Sequence, residues 1–335
     1  MYKVSVIIPV YNSEKFLEST ILSVVNQTIG FENIELILVD DNSTDSSKEI
    51  IKKFSKQYNN IKGIFLDENH GCPGPARNMG MEKATSEYIM FLDNDDQYEK
   101  HLCEKLYETI LKTDADLVDC NFKESDNISE EIPVKFDSDA DIEIIDEDIV
   151  YYDHIYIWTK IFKKDIIAKN NIQFIKEGVN EDSLFCIEYF MHSKRIAVLP
   201  NYVGYNHIMH GENISTIKFD YTINILRSYY LILKLLDEGR EYDYNKIFAG
   251  RIYITLIRTL LLNDGSFNHI KKILKELHDF ESNEEFRNIK LDSSLINFLN
   301  KLILKKHITI TTLIIYLVNK LTKLRFLRKI YRKII

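Results

Sequence analysis

The residues best suited to chemistry stand together: Asp93, Asn94, Asp95 and Asp96 close an apolar run that begins at Tyr88. Three carboxylates within four residues repel one another and are costly to take out of water. A hard divalent cation relieves both problems, because Mg²⁺ or Mn²⁺ prefers oxygen ligands and shares its shell with phosphates. The same run also suits a plainer task, an Asp-rich cap to the segment opening at Tyr98. Asp40 and Asp41 follow a second apolar run, Ile34 to Val39. Between the two acid groups, "GCPGPARNMG" is a glycine-rich loop feeding a short helix, with Pro75 near its first turn and Arg77 just behind. Backbone N–H groups and a guanidinium at a helix start make a seat for anionic phosphate. Further on, "NEDSLF" sets Asn180, Glu181 and Asp182 ahead of Phe185. All three are good first-turn residues for any helix.

Acids at separate places in the chain meet only if their strands end at one edge. Val4 to Pro9, Ile34 to Val39, Ile61 to Leu66, Tyr88 to Leu92 and Asp116 to Phe122 read as strands with nearly unbroken apolar character, as buried parallel strands require. Helical spacing separates them: Phe16, Leu17, Ile21, Val24 and Val25 on one side of a first helix, Ile50, Ile51 and Phe54 on a second, and a later helix running to about Lys112. The alternation predicts an α/β fold whose first ~120 residues form a doubly wound, mostly parallel, Rossmann-like sheet. Such sheets bind ligands outside the carboxyl ends of their strands, which is where both acid groups fall. Glu124 to Asp148 is acidic and poorly periodic and reads as a surface excursion. Structure resumes at Ile155 to Phe162, with a helix after Glu181 and a strand near Ile196 to Leu199. From Tyr221 the pattern is helical, through Ile223, Leu226, Tyr230, Leu233, Ile252, Leu256 and Leu260.

The chain has 335 residues, 45% hydrophobic and 28% charged, which describes an ordinary soluble globular protein of one large domain with an appendage, or two domains. Five prolines and eleven glycines argue against long disordered linkers. Cys72, Cys103, Cys120 and Cys186 show no C-x-x-C spacing and read as reduced thiols, neither a zinc site nor a disulfide frame. The start resembles no signal peptide, since Lys3 is followed at once by a strand-like run. Ile308 to Val318 is far shorter than the roughly 20 residues that span a bilayer. From Lys301 onward there are ten Lys and Arg and no Asp or Glu; against a net charge of −8, that leaves eighteen excess negatives before it. Leu317, Leu321, Leu324, Leu327, Tyr331 and Ile334 recur every three or four residues among those bases. The pattern is a basic amphipathic helix, suited to an anionic membrane surface or to packing against the acidic body or another subunit.

Acids, cation, phosphate seat and parallel sheet together fit a nucleoside diphosphate ligand. Four motifs in order, "VSVIIPVYN", "ELILVDDNSTD", "NHGCPGPARNMG" and "EYIMFLDNDD", resemble those of family 2 glycosyltransferases with the GT-A fold. The likeness is firm over about residues 1–122, looser to about 220 and absent beyond. It implies a GT-A catalytic domain at 1–220, with a nucleotide-sugar half at 1–122 and an acceptor half at 123–220; the helical pattern beyond makes 221–335 a helical C-terminal region ending in the basic amphipathic helix. It further implies an inverting, Mn²⁺- or Mg²⁺-dependent transfer from a UDP-sugar to a cell-surface glycan or lipid-linked acceptor. Pro9, Tyr11 and Asn12 would frame base and ribose, and Asp41 would accept from the uracil N3–H. Asn69 and Arg77 would hold the nucleotide edge or diphosphate. Asp93-Asn94-Asp95 is the D-x-D motif, with Asp93 and Asn94 near ribose and sugar and Asp95 on the metal; Asp96 extends it. "NEDSLF" matches the family's E-D-x-x-F, with Asp182 as general base and Glu181 orienting it or the sugar. "WTKIFKKDII" resembles the segment that closes over the donor, with Trp158 stacking and Lys160 on phosphate. "YNHIMHGENIST" offers His207 and His210 to the diphosphate or metal, where relatives carry an arginine that this chain lacks. The resemblance places the protein in the cytoplasm, peripheral on the inner membrane face, with a homo-oligomer possible and no nucleic-acid partner. A non-catalytic nucleotide-sugar scaffold is the rival of another class. A sugar nucleotidyltransferase would need a "GxGxRxxP"-like segment, which "PVYNSEKF" does not supply.

Overall fold

In the computed structural model, the described residues are 2–125, 130–131, 140–147, 149, 152, 154–175, 181–210 and 307–322, with isolated positions at 267–268, 270–271, 274–275, 298 and 302. The chain divides into two compact units, Met1–Glu177 with Glu181–Gly211, and Gly178–Asn180 with Glu212–Ile335. The first unit therefore ends at Gly211, short of the boundary at 220 drawn from the sequence. The helical pattern from Tyr221 to Leu260 and the basic segment from Lys323 lie outside the described residues.

The first unit is built on one sheet. Strands β1 (Val4–Val10), β2 (Ile34–Asp40), β3 (Ile61–Phe65) and β4 (Tyr88–Phe91) are parallel, in the order β3-β2-β1-β4. All residues of β1, β2 and β4 are buried, which is why their sequences are almost unbroken apolar runs. Helices α1 (Leu17–Val25), α2 (Ser47–Gln57) and α3 (Gly74–Lys83) make the crossovers. At Gly80, α3 comes so close to β1 that a Cβ would run into Ile7. Because the strands are parallel, Val10, Asp40 and Phe91 all leave the sheet at one edge.

Pro9 sits inside β1, where its missing N–H should cost a ladder bond. Val10 O accepts from Asp41 N on the β2 side, and Ile7 O accepts from Leu92 N on the β4 side. Bonding sides alternate along a strand, so Pro9 faces the β4 side just where that pairing has ended, at Ile7 opposite Phe91.

Past β4 come β5 (Gln97–Tyr98), α4 (Leu102–Thr113), β6 (Leu117–Ser125), β7 (Glu130–Glu131) and β8 (Glu143–Ile145). Then follow β9 (Lys160–Lys163), α5 (Lys164–Asn170), α6 (Glu181–His192) and β10 (Ile196–Ile208). Two features depart from the sequence reading. Within Ile155 to Phe162 the first part is irregular and closes in a 3-10 turn, Ile157–Thr159; β9 then inserts antiparallel between β4 and β6. The parallel reading covers the first ~120 residues only, and an apolar run buried on both faces carries no mark of its direction. Second, β10 does not stop near Leu199. It continues past Pro200 to Ile208, alongside β6, through irregularities between Leu199 and Tyr205. Asn121 Nδ2 donates to Pro200 O at 2.6 Å there. The extension carries Tyr205 and His207 toward the β1–β2–β4 edge.

An aromatic cluster fixes α6 over that edge. Phe174 and Phe185 stack at 4.2 Å, and both meet Phe91 edge-on. Phe91 is the last residue of β4 and Phe185 lies in the second turn of α6, so this packing brings the start of α6 beside Asp93. In the second unit, α7 (Ile308–Thr322) is the longest described element.

Candidate active site

Arg77 holds the centre of the site. It is 4% exposed, its Nη2 donates to Asp93 Oδ1 at 2.7 Å and its Nη1 to Glu181 Oε1 at 2.6 Å. One planar fork thus joins α3, the end of β4 and the start of α6. The face of Phe174 lies 5.3 Å from the guanidinium carbon. Burial alone would lower the pKa of Arg77, but Asp93 and Glu181 outweigh it and hold the charge more firmly than usual. Asp182, next to Glu181, accepts from its neighbour Ser183 N at 2.8 Å. Burial, and then the charge of Glu181, push Asp182 up to about 7 against the pull of Arg77. That value is near the pH at which a general base works best.

The D-x-D carboxylates separate into distinct surroundings. Asp95 Oδ2 lies 2.9 Å from His210 Nε2, and Phe16 stacks on the His210 ring at 4.3 Å. Burial raises Asp95 to about 6, with Asp96 and Asp93 adding to it and His210 opposing. Asp96 is fully buried and accepts from Tyr205 OH at 2.7 Å and Ile208 N at 2.7 Å, with His207 Nδ1 at 3.0 Å. Burial pulls His207 down, but Asp96 more than reverses this and holds it up to about 9. Asp96 and His207 are therefore a paired wall behind the site. Asn94 is a strut: its carbonyl accepts from Thr20 and its amide donates to Tyr11 O.

A further cluster forms where β2 ends. Both oxygens of Asp41 are engaged: Oδ1 with His70 Nδ1 at 2.6 Å, and Oδ2 with His70 N at 2.9 Å and Asn69 Nδ2 at 3.1 Å. Gly71, at φ 74°, lets the chain turn sharply after His70. Asn12, at φ 45°, accepts from Thr44 N at 2.8 Å and ties the β1 and β2 loops together. Tyr11 beside it is 46% exposed, an aromatic face open at the sheet edge.

Among the described residues, no group of three or more His, Cys, Asp and Glu is arranged to hold a metal ion. Asp95 and His210 offer two donors at one point, and carboxylates crowded by Asp93 and Asp96 favour a cation. Mg²⁺ and Mn²⁺ commonly take one or two protein ligands and complete their shells with phosphate oxygens and water. The pair fits that kind of ion.

Residues 5–162 match the family model Glycosyl transferase family 2. Through this region the chain is similar to glycosyltransferase family 2. The poly(ribitol-phosphate) beta-N-acetylglucosaminyltransferase TarP of Staphylococcus aureus is 34% identical over 215 residues, 61% of this chain and 62% of TarP. The poly(ribitol-phosphate) beta-glucosyltransferase of Bacillus spizizenii is 32% identical over 217 residues, 64% of this chain. The chain spans about a third of the length of that relative, 33%. Among solved structures, S. aureus TarS 1-349 in complex with UDP-GlcNAc superimposes with a TM-score of 0.70 at 23% identity, covering 96% of this chain and 91% of that one. The fold is the GT-A fold.

Of the residues singled out from sequence, Asp93, Arg77, Glu181 and Asp182 come together, as do Asp95 and His210, and Asp41 and Asn69. Arg77 does not project toward solvent as a phosphate seat; two carboxylates occupy its fork. Its Nε is buried with no partner among the described residues. Lys160 is not at the site's surface: it is 0% exposed, with Nζ 2.6 Å from Asp119 Oδ2. The β6–β9 register sets Lys160 directly opposite Asp119, and Tyr152 and His154 join the same oxygen at 2.5 and 2.6 Å. Trp158 is only 7% exposed and stacks on Tyr205 at 4.2 Å, supporting the ring whose hydroxyl bonds Asp96. Sequence reasoning missed His70, Phe16 and Tyr205. His70 carried a signal, lying between Asn69 and Gly71 in a motif already chosen; Phe16 and Tyr205 look like core residues until the fold is known.

Proposed function

We propose that this protein is an inverting glycosyltransferase that moves a sugar from a UDP-sugar to a hydroxyl of a cell-surface polymer, a polyol-phosphate chain of the teichoic acid type. The observation that carries the reading is Asp182, raised to about 7 beside an arginine fork that holds Asp93 and Glu181 in place. Asp182 takes the proton of the acceptor hydroxyl as its oxygen attacks the anomeric carbon. The new C–O bond forms on the face opposite the leaving group, and the bond to UDP breaks with its electron pair going to the diphosphate. Inversion follows from in-line displacement. Asp93 and Glu181, immobilised by Arg77, orient the sugar at no entropic cost during the reaction. Tyr11 stacks on the base, and the Asp41–Asn69–His70 cluster reads its edge. Asp95 and His210 would hold Mn²⁺ or Mg²⁺, which when bound neutralises the charge developing on the leaving diphosphate.

The polymer class is supported by the printed activities of TarP and the Bacillus relative, both on poly(ribitol phosphate). The donor class is supported by the UDP-GlcNAc complex of the similarly folded TarS. We place the reaction in the cytoplasm at the inner membrane face, where nucleotide sugars meet lipid-linked polymer.

The test is a thermal-shift panel of UDP-sugars, GDP-mannose, a dTDP-sugar and a CMP-sugar, with and without Mn²⁺, followed by assay of UDP release on adding poly(ribitol phosphate). A ligand that binds only the folded state raises the melting temperature by mass action. A Mn²⁺-dependent shift with a UDP-sugar, and UDP release dependent on polymer, are expected. Absence of any shift across the panel overturns the reading.

A further inference from the structure

One side of α7 is open to solvent although it is apolar. Ile310, Leu313 and Leu317 are 53%, 48% and 51% exposed. At 100° per residue they fall within about 60° of arc. The opposite side is occupied: Ile308 and Ile315 are buried, and Tyr316 meets Phe267 edge-on. Thr311 and Thr312 turn their hydroxyls back to the carbonyls of His307 and Ile308. The helix is thus amphipathic in an inverted sense, with an apolar stripe left facing outward. It lies within the stretch from Lys301 to Lys333 that carries ten bases and no acid.

We propose that α7 lies flat in the surface of an anionic lipid bilayer, with Ile310, Leu313 and Leu317 among the acyl chains and the neighbouring Lys and Arg on the headgroups. The proposal takes the membrane-side location from the reading above and adds the surface that meets the bilayer. Charge selects the occupant. A partner for an apolar stripe within a stretch of sequence that carries ten bases and no acid must be apolar with an anionic rim, and a bilayer rich in acidic lipid is both. The eighteen excess negatives before Lys301 give the rest of the sequence the opposite sign, so charge singles out this stretch for an anionic surface. Fifteen residues rise only about 22 Å, short of the roughly 30 Å hydrocarbon layer, so α7 rests on the membrane. Among the described residues no helix is long and apolar enough to cross one. This contact begins seven residues ahead of Leu317, where the amphipathic pattern of the sequence starts.

The experiment is co-sedimentation of the full chain with vesicles of phosphatidylcholine alone and of phosphatidylcholine with phosphatidylglycerol. It compares the parent with the triple variant Ile310→Asp, Leu313→Asp, Leu317→Asp, and with a milder triple serine variant at the same positions. The parent is expected to bind the anionic vesicles and to be released by salt. The aspartate variant should bind about a hundredfold more weakly, or worse, from the lost apolar burial alone. Circular dichroism melts show whether each variant is folded; if the aspartate variant is not, the serine variant decides, with a loss of about tenfold or more expected. Equal binding by a folded variant overturns the proposal, and so does equal binding of the parent to neutral vesicles. A parent that ignores vesicles but forms an oligomer that the variant dissolves overturns it in favour of a contact between copies. Vesicle binding is read without nucleotide, so failure of the UDP-sugar reading shows separately, in the thermal-shift panel.

Discussion

Replacing Arg77 by methionine removes the guanidinium and leaves a side chain of similar length. Asp93 and Glu181, now bonded to it at 2.7 and 2.6 Å, would lose their shared counterion in a place where Arg77 is almost wholly buried. Breaking a buried pair from one side costs about 3–5 kcal/mol, because the abandoned charge stays buried. For a compact unit of roughly 200 residues that is a fall in melting temperature of about 6–20 °C. The loss should be greater at pH 8 than at pH 5.5, since stranded carboxylates can take up protons at the lower pH. Arg77 also pulls Asp182 down toward its value of about 7. Without that pull the carboxyl rises, so a smaller fraction of it is ionised at pH 7. Thermal melts across pH and the pH profile of kcat/KM read both effects. The rising limb of the profile should have its midpoint near pH 7 in the parent and at higher pH in the variant. A variant that melts within a degree or two of the parent, with an unmoved limb but a raised KM for the donor, would refute the fork and return Arg77 to the phosphates.

Asp182→Asn should keep UDP-sugar affinity while kcat falls by about a hundredfold or more, and the rising limb near pH 7 should vanish; isothermal titration and a transfer assay separate the two. Asp95→Asn should abolish the Mn²⁺-dependent part of the UDP thermal shift, and an undiminished shift would remove Asp95 from the metal. Lys160→Met takes one of two cations from Asp119, which burial would push up but His154 and Lys160 hold at about 2. It should cost about 3–5 kcal/mol by chemical denaturation with UDP affinity of the folded protein unchanged, whereas weakened UDP binding would place Lys160 on phosphate after all. In the parent, the stability contributed by ionised Asp119 is complete above the ordinary carboxylate pKa near 4 and is lost as pH falls toward 2, which acid titration of the fold measures.

The sequence by itself determined the strands of the first half of the sheet, β1 to β4, and that acids stand where β2 and β4 end. These are local matters: an apolar run of a given length is buried, and the residue that breaks it lies at the edge. The order of the motifs likewise pointed to the family whose model matches residues 5–162; the acids at Asp93 and Asp95 stood out by their own spacing, and Glu181 and Asp182 through the resemblance. The tertiary structure decided which charges meet. Arg77 finds Glu181 across 104 positions because Phe91, Phe174 and Phe185 pack α6 against the end of β4. Lys160 meets Asp119 instead of phosphate because β9 runs antiparallel to β6 in that register. His207 goes to Asp96 and His210 to Asp95 because β10 continues beyond Pro200 and brings both over the edge. Burial periodicity is written in a segment, but the direction and register of its partners are properties of the packed sheet.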